Sequence, residues 1–363
     1  MEILRRNYNQ PPTQQEVESW QNLPPSLVLV DLSKKCNLWC ELHCGYPGQQ
    51  LRREEKIAHH EEVEPLYTNP QLLKKAFTEI AETWDPKPSL QISADGEPLL
   101  HPQAKGLLTY AAGELGFNVG LTTNGILLKE KLVADLCRAG VKLINISLDA
   151  ATAETYGVVR PERYHHINYF KAVTDNIAKA VEARNKLSEN QQINTEFMIT
   201  MIVRQQSQDE QQDFVELGKK LGVDKVSFRP LNSTAGLTPN FNEVLSEDEI
   251  VKDQEGVVRK VNGLNRYPCI FPFTRFSLTG GTAGSLKFVY CPHAWDRDEA
   301  DIGYYPQDGS LKDLWNSALL NSIREAHLTG NFNLNSLCAA CPDWRMVAGK
   351  DTITYANIVA GKK

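Results

Sequence analysis

Three cysteines lie close together near the start of the chain. The segment from Cys36 to Cys44 places thiols at Cys36, Cys40 and Cys44. Three thiolates on one loop cannot complete a structural zinc site by themselves, because such a site takes four ligands. They can bind three irons of a cubane iron–sulfur cluster and leave the fourth iron open to another ligand. A set of buried or zinc-bound cysteines is the alternative for this stretch.

Four more cysteines occur in the C-terminal part of the chain. They are Cys269, Cys291, Cys338 and Cys341, and the last two have the spacing of a metal-binding knuckle. Four thiols can close a tetrahedral zinc site or ligate every iron of a [4Fe–4S] cluster, and the sequence does not separate these two options. The remaining cysteine, Cys137, falls on the apolar face of a predicted helix and is expected to pack in the core.

Short polar motifs follow three of the predicted strands. In the first motif, Gly96-Glu97-Pro98, the glycine lets the backbone approach a ligand closely, and the glutamate can pair with an ammonium group. The second motif is a tight Asn-Gly turn, and the third alternates two polar side chains onto one side of a strand end. The candidate site residues in these motifs are Gly96, Glu97, Pro98, Asn124, Ser147 and Asp149.

The segments that must position these residues alternate between strand and helix. The predicted strands are 26–33, 90–93, 117–123, 142–148, 195–203 and 225–229. Helical spacing is found in 72–84, 102–115, 131–138, 169–187 and 208–221. Such alternation is typical of a parallel α/β sheet. Six units are fewer than the eight of a closed barrel, so the sequence predicts an α/β fold with a partial (β/α)6 TIM barrel, with the motifs at the C-terminal ends of its strands.

The rhythm of the sequence also predicts the domain organisation. Residues 1–25 form a polar arm over the first strand, and residues 26–231 form the partial barrel. Residues 232–266 are rich in Ser, Thr, Asn and Pro and are expected to be a linker or a substrate-facing loop. Residues 267–363 contain short strands and four cysteines, which indicates a small cysteine-rich iron–sulfur domain.

Bulk composition excludes several classes of function. The 363-residue chain has a formal net charge of -6, which argues against nucleic acid as a partner because sequence-independent binding needs a basic face. No apolar run approaches the roughly 18 residues of a membrane-spanning helix, so no membrane association is expected. The N-terminus has no apolar signal core, so a cytoplasmic location is expected. Cysteines in that compartment favour metal or redox chemistry over disulfides.

With these motifs the sequence resembles the radical S-adenosylmethionine (SAM) superfamily over about residues 26–230. The likeness rests on the cysteine loop, the Gly-Glu-Pro turn, the Thr-Asn-Gly turn and the Ser-Leu-Asp motif. It implies that Cys36, Cys40 and Cys44 hold a [4Fe–4S] cluster whose open iron is chelated by SAM. One electron from that cluster would cleave the sulfonium and yield a 5′-deoxyadenosyl radical, which takes a hydrogen atom from the substrate.

The same resemblance implies how the cofactor is held. Glu97 and the neighbouring backbone would bind the methionine ammonium, and Ser147 and Arg160 its carboxylate or ribose. The other implied contacts are Gly96, Pro98, Asn124 and Asp149. The family usually spaces its cysteines by three and then two residues, whereas both gaps are three here. His43 would replace the aromatic residue that packs on adenine, and a similar spacing occurs in the radical dehydratase of apramycin biosynthesis.

The C-terminal cysteines resemble the auxiliary domains of SPASM or twitch type that some radical SAM enzymes carry. This likeness implies one fully ligated auxiliary [4Fe–4S] cluster on Cys269, Cys291, Cys338 and Cys341. Such a cluster serves electron transfer or structure rather than substrate ligation. An external one-electron donor of flavodoxin or ferredoxin type is implied as a partner.

The predicted function is that of a radical SAM oxidoreductase or lyase acting on a small molecule. The short N-terminal arm leaves no room for a peptide-clasp domain, which favours a sugar or an aminocyclitol that is dehydrogenated or dehydrated. The first alternative is a maturase that modifies a ribosomal peptide or a protein side chain. A non-catalytic zinc or iron–sulfur scaffold or redox sensor is the alternative of another class.

Overall fold

A computed structural model describes most of the chain. The described residues are 15, 18–19, 23–40, 44–61, 63–93, 96–165, 167–189, 191–229, 269–281, 284–294, 298–341 and 354–357. His43, the predicted 232–266 linker and most of the predicted 1–25 arm lie outside them. In these described ranges no helix combines the length and the apolar character needed to cross a bilayer.

Ten strands of the described residues form one mixed sheet. The strands are β1 (Leu27–Val30), β2 (Ser89–Ile92), β3 (Val119–Thr123), β4 (Leu143–Ser147), β5 (Glu196–Ile202), β6 (Lys225–Arg229), β7 (Arg275–Gly280), β8 (Leu286–Val289), β9 (Asp301–Tyr305) and β10 (Thr354–Asn357). Their order in space is β10-β6-β5-β4-β3-β2-β1-β7-β8-β9. All neighbours from β6 through β1 to β7 are parallel, whereas β8, β9 and β10 pair antiparallel.

Helices occupy most connections between the parallel strands, and three more follow β9. They are α1 (Tyr46–Ala58), α2 (Pro70–Thr83), α3 (Ala104–Thr109), α4 (Glu130–Ala139), α5 (Ala153–Val159), α6 (Phe170–Ser188), α7 (Gln211–Leu221), α8 (Phe271–Thr274), α9 (Leu311–Trp315), α10 (Ala318–Thr329) and α11 (Ser336–Ala340). The predicted partial (β/α)6 barrel is therefore confirmed, since β1 to β6 form six parallel strands joined by helical crossovers.

The two faces of the parallel sheet differ in chemistry. Val30, Ile92 and Leu121 are paired neighbours on β1, β2 and β3, and all three are fully buried in the apolar core under the helices. The opposite face, which lines the barrel lumen, carries polar side chains such as Gln91 and Thr122. Side chains alternate between faces along a strand, so one strand can serve both the core and the lumen.

The C-terminal region continues the barrel sheet. β7 pairs parallel with the free edge of β1, with Leu278 opposite Val30. Next to this pair, the buried Asp31 carboxylate accepts a hydrogen bond of 3.0 Å from Thr279 Oγ1. A barrel helix also contacts the C-terminal region: Glu79 of α2 accepts hydrogen bonds from Tyr305 Oη and from the Leu311 backbone N–H. The sequence does not predict this continuity.

Candidate active site

The cysteine loop begins just beyond the C-terminal end of β1. Backbone hydrogen bonds to two neighbouring segments hold it in place. The Gly96 N–H donates to the Ser33 carbonyl at 3.0 Å, and the Glu97 N–H donates to the Lys35 carbonyl at 2.8 Å. Farther along, the Trp39 N–H donates to the Pro161 carbonyl at 2.7 Å. The turn after β2 and the segment after α5 therefore fix the loop from two sides.

Gly96 makes the first of these contacts possible. A Cβ atom built on Gly96 would lie 2.2 Å from the Lys35 carbonyl oxygen and 2.6 Å from the Ser33 carbonyl oxygen. No side chain fits at those distances, so only glycine allows the two backbones to approach. The sequence predicts that glycine approaches a ligand here, and the structure shows that it approaches the cysteine loop.

The thiols of the cysteine loop occupy a poorly solvated environment. Cys40 is buried, and Cys36 and Cys44 are half-buried. Burial, helped by nearby Glu97, raises the pKa of Cys36 to about 12. Burial also raises the pKa of Cys40 well above its usual value, against the opposing effect of Arg160. The thiols of Cys36 and Cys40 therefore hold their protons at neutral pH, and a metal must displace those protons to bind.

Glu97 connects the ends of β2 and β3. Its Oε1 accepts hydrogen bonds from the Leu99 N–H at 3.0 Å and from Thr123 Oγ1 at 2.7 Å, and its Oε2 accepts one from the Asn124 N–H at 2.7 Å. Burial raises the pKa of Glu97 despite these bonds. The carboxylate thus orients the strand-end turns in addition to any contact with a ligand.

Asn124 links the turn after β3 to the cysteine loop. Its Nδ2 donates to Asn37 Oδ1 at 2.7 Å and lies 3.9 Å from Cys36 Sγ. Its Oδ1 accepts from the Ile126 N–H at 3.1 Å, which fixes the orientation of the amide. The predicted Thr-Asn-Gly turn therefore reaches the cysteine loop directly.

A buried ion pair lies at the end of β4. Arg160 Nε and Nη2 donate to Asp149 Oδ2 at 2.8 and 2.5 Å, while Asp149 Oδ1 accepts from the Ile202 N–H at 2.7 Å. Arg160 follows α5, whose short length brings it back to the strand end. Burial alone would lower the pKa of Arg160, but Asp149 and Cys40 raise it, so the guanidinium stays charged.

The other predicted contacts lie on the same rim. Ser147 is the half-buried last residue of β4 and pairs with Thr200 of β5. Pro98 is buried and starts the short helical turn Pro98–Leu100. Hence the structure brings the three strand-end motifs together beside the cysteine loop, as the parallel topology requires.

Several polar residues of the lumen complete the site and were not predicted. Gln91 Nε2 donates to Thr122 Oγ1 at 3.0 Å, Asn145 Nδ2 donates to the same hydroxyl at 3.4 Å, and Thr200 Oγ1 donates to Asn145 Oδ1 at 2.6 Å. These four residues form a belt across β2, β3, β4 and β5. Their alternation with apolar residues in each strand was the available sequence signal.

A cavity of about 220 Å³ lies beside the cysteine loop. It is lined by residues of that loop, of α1 and of the segment after Arg160. The Arg163 guanidinium lies 3.9 Å from the centre of the Trp39 ring and pairs with Glu54 Oε1 at 2.6 Å. This stacked pair connects α1 to the cysteine loop.

The C-terminal cysteines form a second cluster of thiols. Burial raises the pKa of Cys291, and the nearby Cys341, Cys269 and Cys338 add to the effect. Arg275 lies close to Cys269, and burial lowers the pKa of its guanidinium. Among the described residues, no group of three or more histidine, cysteine or carboxylate side chains is arranged to hold a single metal ion.

Comparison with protein families identifies the chain. The Radical SAM superfamily matches residues 32–217, which is more than half of the sequence. The chain belongs to the radical SAM superfamily.

Individual relatives extend this assignment. GTP 3′,8-cyclase of Petrotoga mobilis is 27% identical over 266 residues, which cover 72% of each chain. Molybdenum cofactor biosynthesis protein 1 of Mus musculus is 28% identical over 247 residues, which cover 67% of this chain and 34% of the relative. This radical SAM protein therefore spans about a third of the length of several curated relatives it matches.

Solved structures of radical SAM proteins share the fold. The structure of anSMEcpe with bound AdoMet has a TM-score of 0.60 and 15% identity, covering 91% of this chain and 92% of the other. BtrN in complex with AdoMet and 2-DOIA has a TM-score of 0.53 and 14% identity, covering 91% and 99%. Streptococcus suis SuiB bound to the precursor peptide SuiA has a TM-score of 0.59 and 14% identity, covering 93% and 76%.

The residues of the site fit the cofactors that the family implies, a [4Fe–4S] cluster and SAM. A cubane spreads its thiolate ligands over different irons, so three thiols on one loop are a suitable donor set. The fixed positive charge of Arg160 acts on Cys40 and favours its thiolate form. This charge complements both thiolate ligands and a cofactor carboxylate.

Proposed function

We propose that this radical SAM protein removes a hydrogen atom from a small polyhydroxylated substrate, such as a sugar or an aminocyclitol. The product would be a ketone or a dehydrated compound. Cys36, Cys40 and Cys44 would hold the catalytic cluster. When the cluster and SAM are bound, they supply the 5′-deoxyadenosyl radical that is characteristic of the family.

The polar belt of the lumen carries this proposal. A parallel sheet that is covered on both faces normally bears apolar side chains on both. Here Gln91, Thr122, Asn145 and Thr200 form a hydrogen-bonded row across the inner face instead. These residues offer hydroxyl and amide groups, which match a substrate with many hydroxyl groups better than an apolar side chain.

Two serine hydroxyls strengthen the argument. Ser227 on β6 and Ser277 on β7 are fully buried, and neither hydroxyl has a hydrogen-bond partner among the described residues. Leaving a buried hydroxyl unpaired costs about 1–3 kcal/mol. Ser227 pairs with Thr200 and Ser277 with Leu29, so the two hydroxyls flank opposite sides of the belt. Substrate hydroxyls would satisfy both.

The rim residues would hold SAM. We assign the methionine carboxylate to the remaining donors of Arg160 and to Ser147, because a guanidinium pairs strongly with a carboxylate. The ammonium group would meet Glu97 and the backbone beside it, with Gly96 and Pro98 shaping the turn. Asn124 and Asp149 would orient this binding site, and His43 would pack against adenine.

The C-terminal thiols would hold an auxiliary [4Fe–4S] cluster. Arg275 is half-buried near Cys269, and its buried Nε has no hydrogen-bond partner in the described part of the chain, which supports an anionic group there. After a hydrogen atom leaves a carbon that bears a hydroxyl, that carbon must lose one electron and the hydroxyl one proton to form a ketone. The auxiliary cluster would accept that electron. Loss of water would instead leave a carbon radical, which must gain one electron from the external donor and one proton to give the dehydrated product.

The cofactor assignments can be tested by anaerobic reconstitution with iron and sulfide. We expect about eight irons per chain, and formation of 5′-deoxyadenosine from SAM and dithionite. Cys40→Ala should bind about half of the iron and form no nucleoside. Cys338→Ala should lose the other half. Cys137→Ala is the matched control, since Cys137 is a buried cysteine of α4 outside both thiol groups. A chain that binds no iron would contradict the proposal.

The substrate class can be tested by deuterium transfer. Candidate substrates deuterated at carbons that bear hydroxyls are incubated with reconstituted enzyme and SAM, and deuterium in 5′-deoxyadenosine is measured by mass spectrometry. The panel holds simple sugars, 2-DOIA because of BtrN, GTP because of the cyclase relative, and a precursor peptide because of SuiB. Transfer from a sugar or 2-DOIA is the expected result. Transfer from the peptide alone would favour the maturase alternative.

A further inference from the structure

Two polar side chains converge on the sulfur of Cys338. His327 Nε2 lies 3.3 Å from Cys338 Sγ, and Tyr290 Oη lies 3.3 Å from the same atom. His327 is 1% exposed and Tyr290 is 2% exposed, so both donors are buried, and Cys338 itself is half-buried. Cys338 begins the knuckle that it forms with Cys341.

The backbone fixes which nitrogen of His327 carries the hydrogen. The Cys269 backbone N–H donates to His327 Nδ1 at 3.3 Å, so Nδ1 is the acceptor nitrogen. A neutral imidazole with an acceptor at Nδ1 carries its hydrogen on Nε2. That N–H faces Cys338 Sγ. His327 therefore connects two of the four C-terminal cysteines, accepting from the backbone of one and donating to the sulfur of the other.

Tyr290 is the second donor. A thiolate that ligates iron has no proton to donate, so the contact between Tyr290 Oη and Cys338 Sγ must use the phenol O–H. Tyr290 immediately follows β8 and is the residue before Cys291 in the chain. Its side chain contacts a second C-terminal cysteine, Cys338. Phe332 packs edge-on against the His327 ring at 5.3 Å and limits its rotation.

We propose that His327 and Tyr290 raise the reduction potential of the auxiliary cluster by donating hydrogen bonds to its Cys338 ligand. This inference rests on the proposed function, in which the four C-terminal cysteines hold that cluster. Reduction adds negative charge to a cluster, and hydrogen bonds to its sulfurs stabilise that charge. The stabilisation is larger where the donors are buried, as His327 and Tyr290 are. His327 and Tyr290 are thus positioning residues that make the cluster a better electron acceptor.

The test measures the potential of the auxiliary cluster alone. In the full chain, Cys36, Cys40 and Cys44 are changed to alanine so that only the C-terminal cluster assembles. The reduced cluster is then followed by electron paramagnetic resonance during a redox titration. Iron is counted before each titration, so absence of the cluster is recognised separately from an unchanged potential.

Matched variants separate the hydrogen bonds from packing. His327→Asn places an acceptor near the Cys269 N–H but has no group that reaches Cys338, whereas His327→Gln can place an N–H near Cys338. Tyr290→Phe removes only the O–H. We expect His327→Asn and Tyr290→Phe each to disfavour reduction about tenfold, a fall of about 59 mV for one electron, and His327→Gln to retain most of the wild-type potential.

Tyr305→Phe is the control, because its buried hydroxyl donates to Glu79 Oε2 at 2.8 Å and contacts no cysteine. Equal potentials in Tyr290→Phe, His327→Asn and Tyr305→Phe would overturn the inference while leaving the proposed cluster intact. If His327→Asn does not assemble a cluster, the potential of Tyr290→Phe compared with that of Tyr305→Phe tests the inference. A parent chain with no second cluster would overturn both the auxiliary-cluster assignment and this inference.

Discussion

Asp149 and Arg160 form the most deeply buried ion pair at the active-site rim. Asp149 has a φ of 60°, a conformation that asparagine tolerates, so Asp149→Asn keeps the backbone and an acceptor for the Ile202 N–H. It leaves the Arg160 charge unpaired, and breaking a buried pair in this way costs about 3–5 kcal/mol. We expect the free energy of unfolding of cluster-free protein to fall by that amount in urea denaturation.

The control for this prediction is an exposed pair. Lys171 Nζ and Asp175 Oδ2 lie 2.6 Å apart on the surface of α6, and exposed pairs contribute at most about 1 kcal/mol. Asp175→Asn should therefore change the free energy of unfolding little. Equal losses in Asp149→Asn and Asp175→Asn would show that the buried pair has no special role.

The raised pKa of Cys36 predicts a pH dependence for the cluster-free protein. Only thiolate reacts with iodoacetamide, and with a pKa of about 12 the thiolate fraction at pH 8 is about one in ten thousand. Because this fraction grows tenfold per pH unit below the pKa, alkylation of Cys36 should accelerate about tenfold from pH 8 to pH 9. Mass spectrometry of the alkylated peptide measures this rate.

A small thiol serves as reference for the alkylation of Cys36. Its rate should level off near the ordinary cysteine pKa of about 8.5, whereas that of Cys36 should continue to rise. A Cys36 rate that levels off below pH 9 would contradict the prediction. The same logic predicts that cluster assembly is faster at pH 8.5 than at pH 7, since iron must displace the protons.

For individual residues, the sequence predicts which side chains lie close together but not all of the hydrogen bonds that they form. Glu97, Asn124 and Asp149 follow parallel strands, and the carboxyl ends of such strands share one edge of the sheet. The hydrogen bonds from Thr123 and Asn124 to Glu97 depend on loop conformations that tertiary packing sets, so no local pattern reveals them.

Among the structural elements, the turn after β2 controls the cysteine loop through Gly96. Gly96→Ala would place a methyl group 2.2 Å from the Lys35 carbonyl oxygen, so the cysteine loop must move or the turn must open. We expect this variant to bind less iron on reconstitution and to unfold at lower urea concentration than the wild type. Iron analysis and urea denaturation measure the two effects.

Gly106→Ala provides the opposite case. Gly106 lies within α3, and a Cβ there would meet no atom within 4 Å. Alanine favours a helix by about 0.5–1 kcal/mol over glycine, so Gly106→Ala should stabilise the protein and leave iron binding unchanged. If Gly96→Ala also bound a full complement of iron, the close approach of the turn would not be needed to shape the loop.

The elements of the barrel could be predicted because each strand has a buried apolar face and each long helix an apolar stripe. β1 to β6 lie within one or two residues of the predicted segments or inside them. β7 is different, since periodicity reports which face of a strand is buried and not which strand lies beside it. Its pairing with β1 depends on a contact between distant parts of the chain.

For the whole molecule, the position of β1 between β2 and β7 predicts that the barrel is unstable alone. A chain that ends at residue 231 would lose β7 and expose the edge of β1 together with the core side of Val30. We expect such a chain to aggregate, because an unpaired apolar edge strand is a template for association. Size-exclusion chromatography and circular dichroism check this, and a monomeric, cooperatively unfolding fragment would contradict it.

The place of β1 also has a consequence for biosynthesis. Ser26 Oγ bonds to the Thr274 carbonyl across 248 residues of sequence, so the ribosome must make most of the chain before β1 gains its second neighbour. At about 5–20 residues per second, this delay lasts roughly 12–50 seconds. During that time the cysteine loop follows a strand, β1, whose edge is not yet paired with β7. This topology favours an order of events in which chaperones protect the nascent chain first and iron is delivered after its release.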